Sequence, residues 1–177
     1  NYRIQKFDSD GNFVTKWGKK GSAEGEFETP KGIAIDHNDH IYVADAGNNR
    51  IQKFSTNGAF QTLWYGDESP QGKKLKLPRC LAVDNLGQVY VSDTYNDRIA
   101  VFDSNGDFQY DWGSSGTGDG EFRDCHYIEE GRHTAYNFSC EIPELPSGSA
   151  SPLTVEILRE VYGRELEPLT INILATR

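Results

Sequence analysis

Asn49-Arg50-Ile51-Gln52-Lys53-Phe54 decides the fold, because the chain repeats it at a fixed interval. Tyr2-Arg3-Ile4-Gln5-Lys6-Phe7 precedes it by 47 residues (50 − 3), and Asp97-Arg98-Ile99-Ala100-Val101-Phe102 follows it by 48 (98 − 50). Self-similarity at such a period marks stacked repeat units, and it outranks any local reading. Working outward, each copy leads to the same turn and the same aromatic residue. Gly11-Asn12-Phe13, Gly58-Ala59-Phe60 and Gly106-Asp107-Phe108 precede Trp17, Trp64 and Trp112, again 47 (64 − 17) and 48 (112 − 64) apart.

Within one period, alternation of apolar and polar residues, β-branched and aromatic content and turn residues mark four strands. They cover 33–36, 41–45, 50–54 and 60–64, with turns at His37-Asn38-Asp39-His40 and Ser55-Thr56-Asn57-Gly58. The next copy places them at 81–84, 89–93, 98–102 and 108–112. Four short antiparallel strands per period of roughly 40 to 50 residues describe one blade of a β-propeller, whose radial stacking leaves only short edges exposed.

The series Gly25-Glu26-Phe27-Glu28-Thr29-Pro30-Lys31-Gly32-Ile33-Ala34-Ile35-Asp36, then Ile41-Tyr42-Val43-Ala44-Asp45, then Gly47-Asn48-Asn49-Arg50-Ile51-Gln52-Lys53-Phe54 resembles an NHL repeat. The resemblance covers residues 1 to about 122 as one complete copy, a nearly complete second and partial copies at the ends. The triplet that names the family reads Asn49-Arg50-Ile51 and Asp97-Arg98-Ile99, with Arg and Ile in place of His and Leu. It implies an all-β, partial NHL-type propeller of about two and a half four-stranded blades. It also implies protein interaction as the usual role, and closure of whole NHL propellers with about six blades. Some NHL-like propellers are enzymes, lyases and by similar architecture lactonases, which need metal ligands on strands lining the channel. Others bind RNA on a positive face.

Charge bears on those alternatives. The chain has 177 residues with 18 basic and 27 acidic side chains, net −9. Residues 1–122 alone carry 13 basic against 18 acidic, a difference of −5. Such a balance repels nucleic acid at long range, so no nucleic-acid partner is expected. No stretch approaches the roughly 20 apolar residues of a membrane span. Cys80, Cys125 and Cys140 form no C-x-x-C pair and no disulfide framework. With Asn1 first and no methionine, a natural start is expected to lie outside the chain and localisation is left unassigned.

The repeat is expected to end near residue 122. Cys125 stands where Pro30 and Pro78 stand in the earlier copies, and composition shifts. Nine Lys and fifteen Gly fall in 1–122, against no Lys and three Gly in 123–177. The tail 123–177 is read as a short α/β unit. Ser151-Pro152 suits a helix start, Leu153, Ile157, Leu158 and Val161 share a helical face over about 152–162, and Gly163 suits its end. Leu169, Ile171, Ile173 and Ala175 alternate as a final strand over about 169–175. Helix, turn and strand faintly resemble the C-terminal part of hydrogenase-maturation peptidases, without any catalytic motif.

Candidate sites are few. Asp8-Ser9-Asp10-Gly11-Asn12 opens like a calcium loop but lacks the later ligands, and a hairpin turn explains it and its equivalents. Asp45 and Asp93 precede Arg50 and Arg98 by five residues in both copies, which points to structural ion pairs; Asp36 and Asp84 recur beside turns likewise. His37 and His40 flank a turn with no third ligand, and His126 and His133 near Cys125 and Cys140 match no metal spacing. No phosphate loop or nucleophile elbow occurs. Tyr2, Phe7, Trp17, Phe54, Trp64, Phe102 and Trp112 recur with the period and are read as packing between blades. Binding is therefore expected at loop positions where the copies differ. These are Thr94, Tyr95 and Asn96, standing where the first copy has Ala46-Gly47-Asn48, together with Lys73 and Lys74 of the Lys73–Lys76 cluster. The resulting expectation is a non-catalytic binding or scaffold module without cofactor or metal, whose partner is a protein or small ligand. Self-association through unpaired blade faces is expected as well.

Overall fold

The computed structural model describes residues 2–66, 69, 72–116 and 118–122, and beyond them the backbone of six strands. Strands β1 (Ile4–Phe7) and β2 (Phe13–Trp17) form a hairpin. Strands β3 (Pro30–Ile35), β4 (Ile41–Asp45), β5 (Arg50–Phe54) and β6 (Phe60–Trp64) make the first full antiparallel sheet, in that order. Strands β7 (Pro78–Val83), β8 (Val89–Asp93), β9 (Arg98–Phe102) and β10 (Phe108–Trp112) make the second. By the repeat, β1 and β2 correspond to β5 and β6, the outer half of a blade.

The turns explain why the register holds. Asp8, Asp36, Asp84 and Asp103 each use Oδ1 to accept the backbone N–H groups two and four residues ahead. At the turn after β5 the Ser55 hydroxyl accepts the N–H four residues ahead, that of Ala59. Between the second and third strands of each full sheet, a single 3-10 turn (Ala46–Asn48, Thr94–Asn96) ends at a residue in the left-handed region, Asn49 at φ 55° and Asp97 at φ 50°. Asparagine and aspartate tolerate that region better than other non-glycine residues.

Two clusters hold the sheets together. Tyr2, Ile4, Trp17 and Phe60 pack on Phe27, Ile41, Val43 and Phe54, seating the first hairpin on the first full sheet. Between the full sheets, Tyr42, Ala44, Ile51 and Trp64 meet Leu81, Val83, Val89 and Val91. Each fully buried aliphatic or aromatic side chain contributes roughly 1.5–3 kcal/mol. Inner strands β3 and β7 run so close that a Cβ on Gly32 would lie 2.6 Å from the Arg79 carbonyl oxygen. Outer turns are latched from the preceding unit: Lys6 Nζ donates to the Thr56 carbonyl at 3.0 Å, and Lys53 Nζ to that of Ser104 at 2.9 Å. Gly58 and Gly106 lie beneath the rings of Trp17 and Trp64, where an added Cβ would sit 2.6 Å from ring carbons.

The strand period runs on past residue 122. Strands β11 (Cys125–Glu130) and β12 (Tyr136–Cys140) pair antiparallel. β11 starts 47 residues after β7 (125 − 78), and β12 follows β11 by 11 (136 − 125), as β8 follows β7 (89 − 78). The helix expected over about 152–162 is not what the backbone forms. It runs instead as β13 (Leu153–Ile157) and β14 (Glu160–Val161), so the tail is β rather than α/β among the described residues. β13 pairs antiparallel with β16 (Leu169–Ile173), from Leu153↔Ile173 to Ile157↔Leu169, and β14 pairs with β15 (Arg164–Glu165). Leu153, Val155 and Ile157 satisfy period two as well as Leu153 and Ile157 satisfy helical spacing, and β-branched Thr154, Val155 and Ile157 favour the strand. The expected helix start, Ser151-Pro152, and end, Gly163, lie outside the described residues.

Candidate functional site

The loops entering the full sheets and the 3-10 turns gather around two buried carboxylates. Asp45 Oδ1 accepts the Glu28 N–H at 2.7 Å; its Oδ2 accepts Arg50 Nε and Asn48 Nδ2, each at 2.8 Å, and Gln52 Nε2 at 3.2 Å. Arg50 also donates to the carbonyls of Ser22, Ala23 and Glu26 at 2.8–2.9 Å. In the second sheet Asp93 accepts the Lys76 N–H at 2.6 Å, and Asn96 Nδ2 and Arg98 Nε at 2.7 Å. Arg98 donates onward to the Lys73 carbonyl and to Asp111. The two Asp–Arg pairs lie fully inside the protein. Burial pushes the Asp93 carboxyl up, against the hydrogen bonds from Asn96, Lys76 and Arg98 that favour its charge.

These networks fix how loop 72–77 is presented. Carbonyls of Lys73, Lys74 and Lys76 point inward, accepting from Arg98, Asn96 Nδ2 and the Tyr95 N–H, and Leu75 is buried beneath them. The Leu77 N–H is held by Asn49 Oδ1 at 2.8 Å. The side chains of Lys73, Lys74 and Lys76 remain exposed, and Tyr95 is 53% exposed with Lys76 Nζ 5.9 Å from its ring centre. At the equivalent loop of the first sheet Lys19 pairs with Glu26 at 3.0 Å and Lys20 with Glu28 at 3.6 Å. The expected binding positions Lys73, Lys74, Tyr95 and Asn96 thus come together. Thr94 does not join them at the surface: it is 0% exposed and its carbonyl closes the turn by accepting the Asp97 N–H. A turn of three residues turns its first side chain into the sheet end while displaying its second.

At the opposite strand ends, Asp36 Oδ2 accepts from His40 Nδ1 at 3.0 Å and from the buried Tyr42 hydroxyl at 3.1 Å. Burial works to raise the Asp36 carboxyl, but hydrogen bonds from His40, Asn38 and Tyr42 outweigh it and hold the group below the usual range. Burial first, then the Asp36 charge, holds the Tyr42 hydroxyl above its usual value. His37 meets Asn38 rather than sharing a ligand with His40. Among the described residues no group of three or more His, Cys, Asp or Glu side chains could hold a metal ion. Cys125 and Cys140 are register partners on β11 and β12, and His133 lies outside the described residues.

One residue with a bearing on this face carries no motif. Asp111 completes the Arg98 network where Ala100 replaces the Gln52 of the first sheet.

Residues 27–54 and 75–102 match the NHL repeat model. No curated protein sequence matches the chain. Among solved structures, a streptogramin B lyase is 20% identical with a TM-score of 0.55, covering 77% of this chain and 41% of its own. A catalytically inactive virginiamycin B lyase from Staphylococcus aureus, with quinupristin, is 17% identical with a TM-score of 0.56, covering 78% and 42%. Hydrazine synthase of Kuenenia stuttgartiensis is 11% identical with a TM-score of 0.61, covering 97% and 44%. The likeness is one of fold, a partial β-propeller, and the chain spans less than half the length of each.

Proposed function

Since residues 27–54 and 75–102 are NHL repeats within a partial propeller, we propose that the chain is a non-catalytic protein-binding module whose contact face is the loop 72–77 and the turn 94–96. The observation that carries the reading is the rigid anchoring of that loop by Asp93, Asn96 and Arg98 beneath exposed Lys73, Lys74, Lys76 and Tyr95. An exposed aromatic beside pre-ordered cations loses little entropy on binding and suits an acidic, apolar-containing segment of a partner protein. A basic cluster of this size is too small for RNA, which needs several phosphate contacts to hold at physiological salt. Among the described residues, the fold likeness to lyases is not accompanied by a group of three or more His, Cys, Asp or Glu side chains that could hold a metal ion.

The test is fluorescence anisotropy with a labelled Glu-Glu-Phe-Glu-Glu peptide. Binding is expected to weaken roughly fivefold, about 1 kcal/mol, in Lys73→Glu and in Tyr95→Ala. Lys16→Glu, on the exposed β2, is expected to change nothing. Absence of peptide binding, or equal binding by all variants, would refute the assignment, as would tighter binding of a single-stranded RNA at about 150 mM salt.

A further inference from the structure

Strand β1 stands where β5 and β9 stand in the full sheets, but its surroundings differ. β5 pairs with β4 and β6, and β9 with β8 and β10, whereas among the described residues β1 pairs with β2 alone. Its second edge therefore offers backbone N–H and C=O groups to a further strand. Arg3, at the position of Arg50 and Arg98, is exposed, and its Nε donates to Gln5 Oε1 at 3.2 Å instead of to an aspartate. Phe7 is 51% exposed, whereas Phe54 and Phe102 are 0% exposed. The apolar face beside this edge is open as well. Ile33 and Ile35 of β3 are exposed, and their register partners Val43 and Ile41 belong to the cluster on which Tyr2, Ile4 and Trp17 pack. The exposed pair thus continues the face that the first hairpin already covers.

The second full sheet shows what fills the equivalent place. There Leu81 and Val83 are buried in one cluster with Tyr42 and Ala44 of β4. The same β4 pairs with β5 from Ile41↔Phe54 to Asp45↔Arg50, so one strand closes the edge, helps cover the face and supplies the aspartate. We propose that β1 is the docking edge for a β-hairpin of a partner protein, built like β3–β4. Its second strand adds antiparallel to β1 and ends in an aspartate that meets Arg3, while its alternate apolar residues close over Ile33 and Ile35. The pairing of guanidinium with carboxylate fixes the register, since a slip by one residue turns every side chain to the other face. A second copy of this chain does not offer such a hairpin. Its β4 and β8 are paired on both edges, and Cys140 of β12 stands where Asp93 stands on β8 (140 − 93 = 47). This edge shares no residue with loop 72–77 or turn 94–96.

The probe is a labelled synthetic peptide with the sequence of residues 30–45, added to the whole chain and followed by fluorescence anisotropy. The native chain is expected to bind it in preference to a peptide of the same composition in scrambled order. Arg3→Gln in the chain and Asp45→Asn in the peptide are each expected to weaken binding roughly tenfold, and the two together no further, because both remove the same pair. Ile33→Ser is expected to weaken binding independently of them, so its loss adds to theirs. Arg3 and Ile33 are exposed, and unchanged melting temperatures of these variants establish that the fold is kept. Absence of binding by the native chain, or equal binding of the scrambled peptide, overturns the proposal. Losses from Arg3→Gln and Asp45→Asn that simply add overturn the pairing and with it the register. Tighter binding of a peptide of residues 125–140 overturns the partner hairpin in favour of a second copy of this chain.

Discussion

Arg50 and Arg98 show how far a charged pair can be removed from partners outside the fold. Each guanidinium is buried against an Asp and against carbonyls of the incoming loop, so its work is to tie that loop to the sheet end. Removing one member of a buried pair leaves the other uncompensated, and Arg50→Ala is expected to lose about 3–5 kcal/mol of stability by chemical denaturation. Unaltered stability would show that the pair is not structural. Asp36 offers a pH test with a definite sign. Its folded-state carboxyl is held below the unfolded value by bonds from His40, Asn38 and Tyr42. The stabilisation it brings is therefore present above the unfolded carboxyl value and lost as pH falls through the folded one. Urea titrations between about pH 5 and pH 2.5 should show stability falling with acid, and falling less steeply in Asp36→Asn. Asp93 has the opposite sign, its raised carboxyl favouring the fold on the acid side, so the Asp36 variant isolates its own contribution.

At the scale of elements, the outer turn of each blade is set by what the preceding one lays over it. Trp64 covers Gly106, which has φ +96°, and Lys53 holds the Ser104 carbonyl of the same turn. Gly11 occupies the matching turn of the first hairpin at φ +82°, with open space where a Cβ would be. Gly11→Ala should therefore cost only the backbone strain of a non-glycine residue in that region, about 1 kcal/mol, and Gly106→Ala distinctly more, about 2–4 kcal/mol. Equal losses in thermal denaturation would mean that the tryptophan contact is unimportant. Lys53 carries a cost of its own: burial pushes its ammonium down, while Asp36 and Asp103 work to keep it charged. At the matching position of the second full sheet stands Val101, so the lysine latch is not repeated toward the strands that follow.

For the whole molecule, the decisive comparison is between equivalent inner-strand residues. Leu81 and Val83 on β7 are 5% and 6% exposed, whereas Ile33 and Ile35 on β3 are 50% and 60% exposed. The difference is the presence of β3 and β4 against the first pair, since β1 and β2 cover the outer part of the first full sheet and not its inner strand. A contiguous apolar patch of this kind is rarely left open on a monomer. The isolated 177-residue polypeptide is expected to self-associate, and Ile33→Ser with Ile35→Thr to reduce it, as read by light scattering. A monodisperse native chain that binds no hydrophobic dye would contradict this.

Repetition made most of the fold legible. Arg3, Arg50 and Arg98, the turns after Phe7, Phe54 and Phe102, and the three tryptophans recur with one period, and a unit that must bury the same faces on its neighbours keeps the same residues. The sequence by itself therefore determined the blades, their strand order and the Asp–Arg spacing. It did not determine the tail, where Leu153, Val155 and Ile157 fit period two and Leu153, Ile157 and Leu158 fit a helix, and only pairing with β16 makes the strand. Nor could it tell Thr94 from Tyr95 or find Asp111. Whether a polar side chain is buried, paired or displayed depends on which strand lies beside it, and that proximity exists only once the sheets have packed.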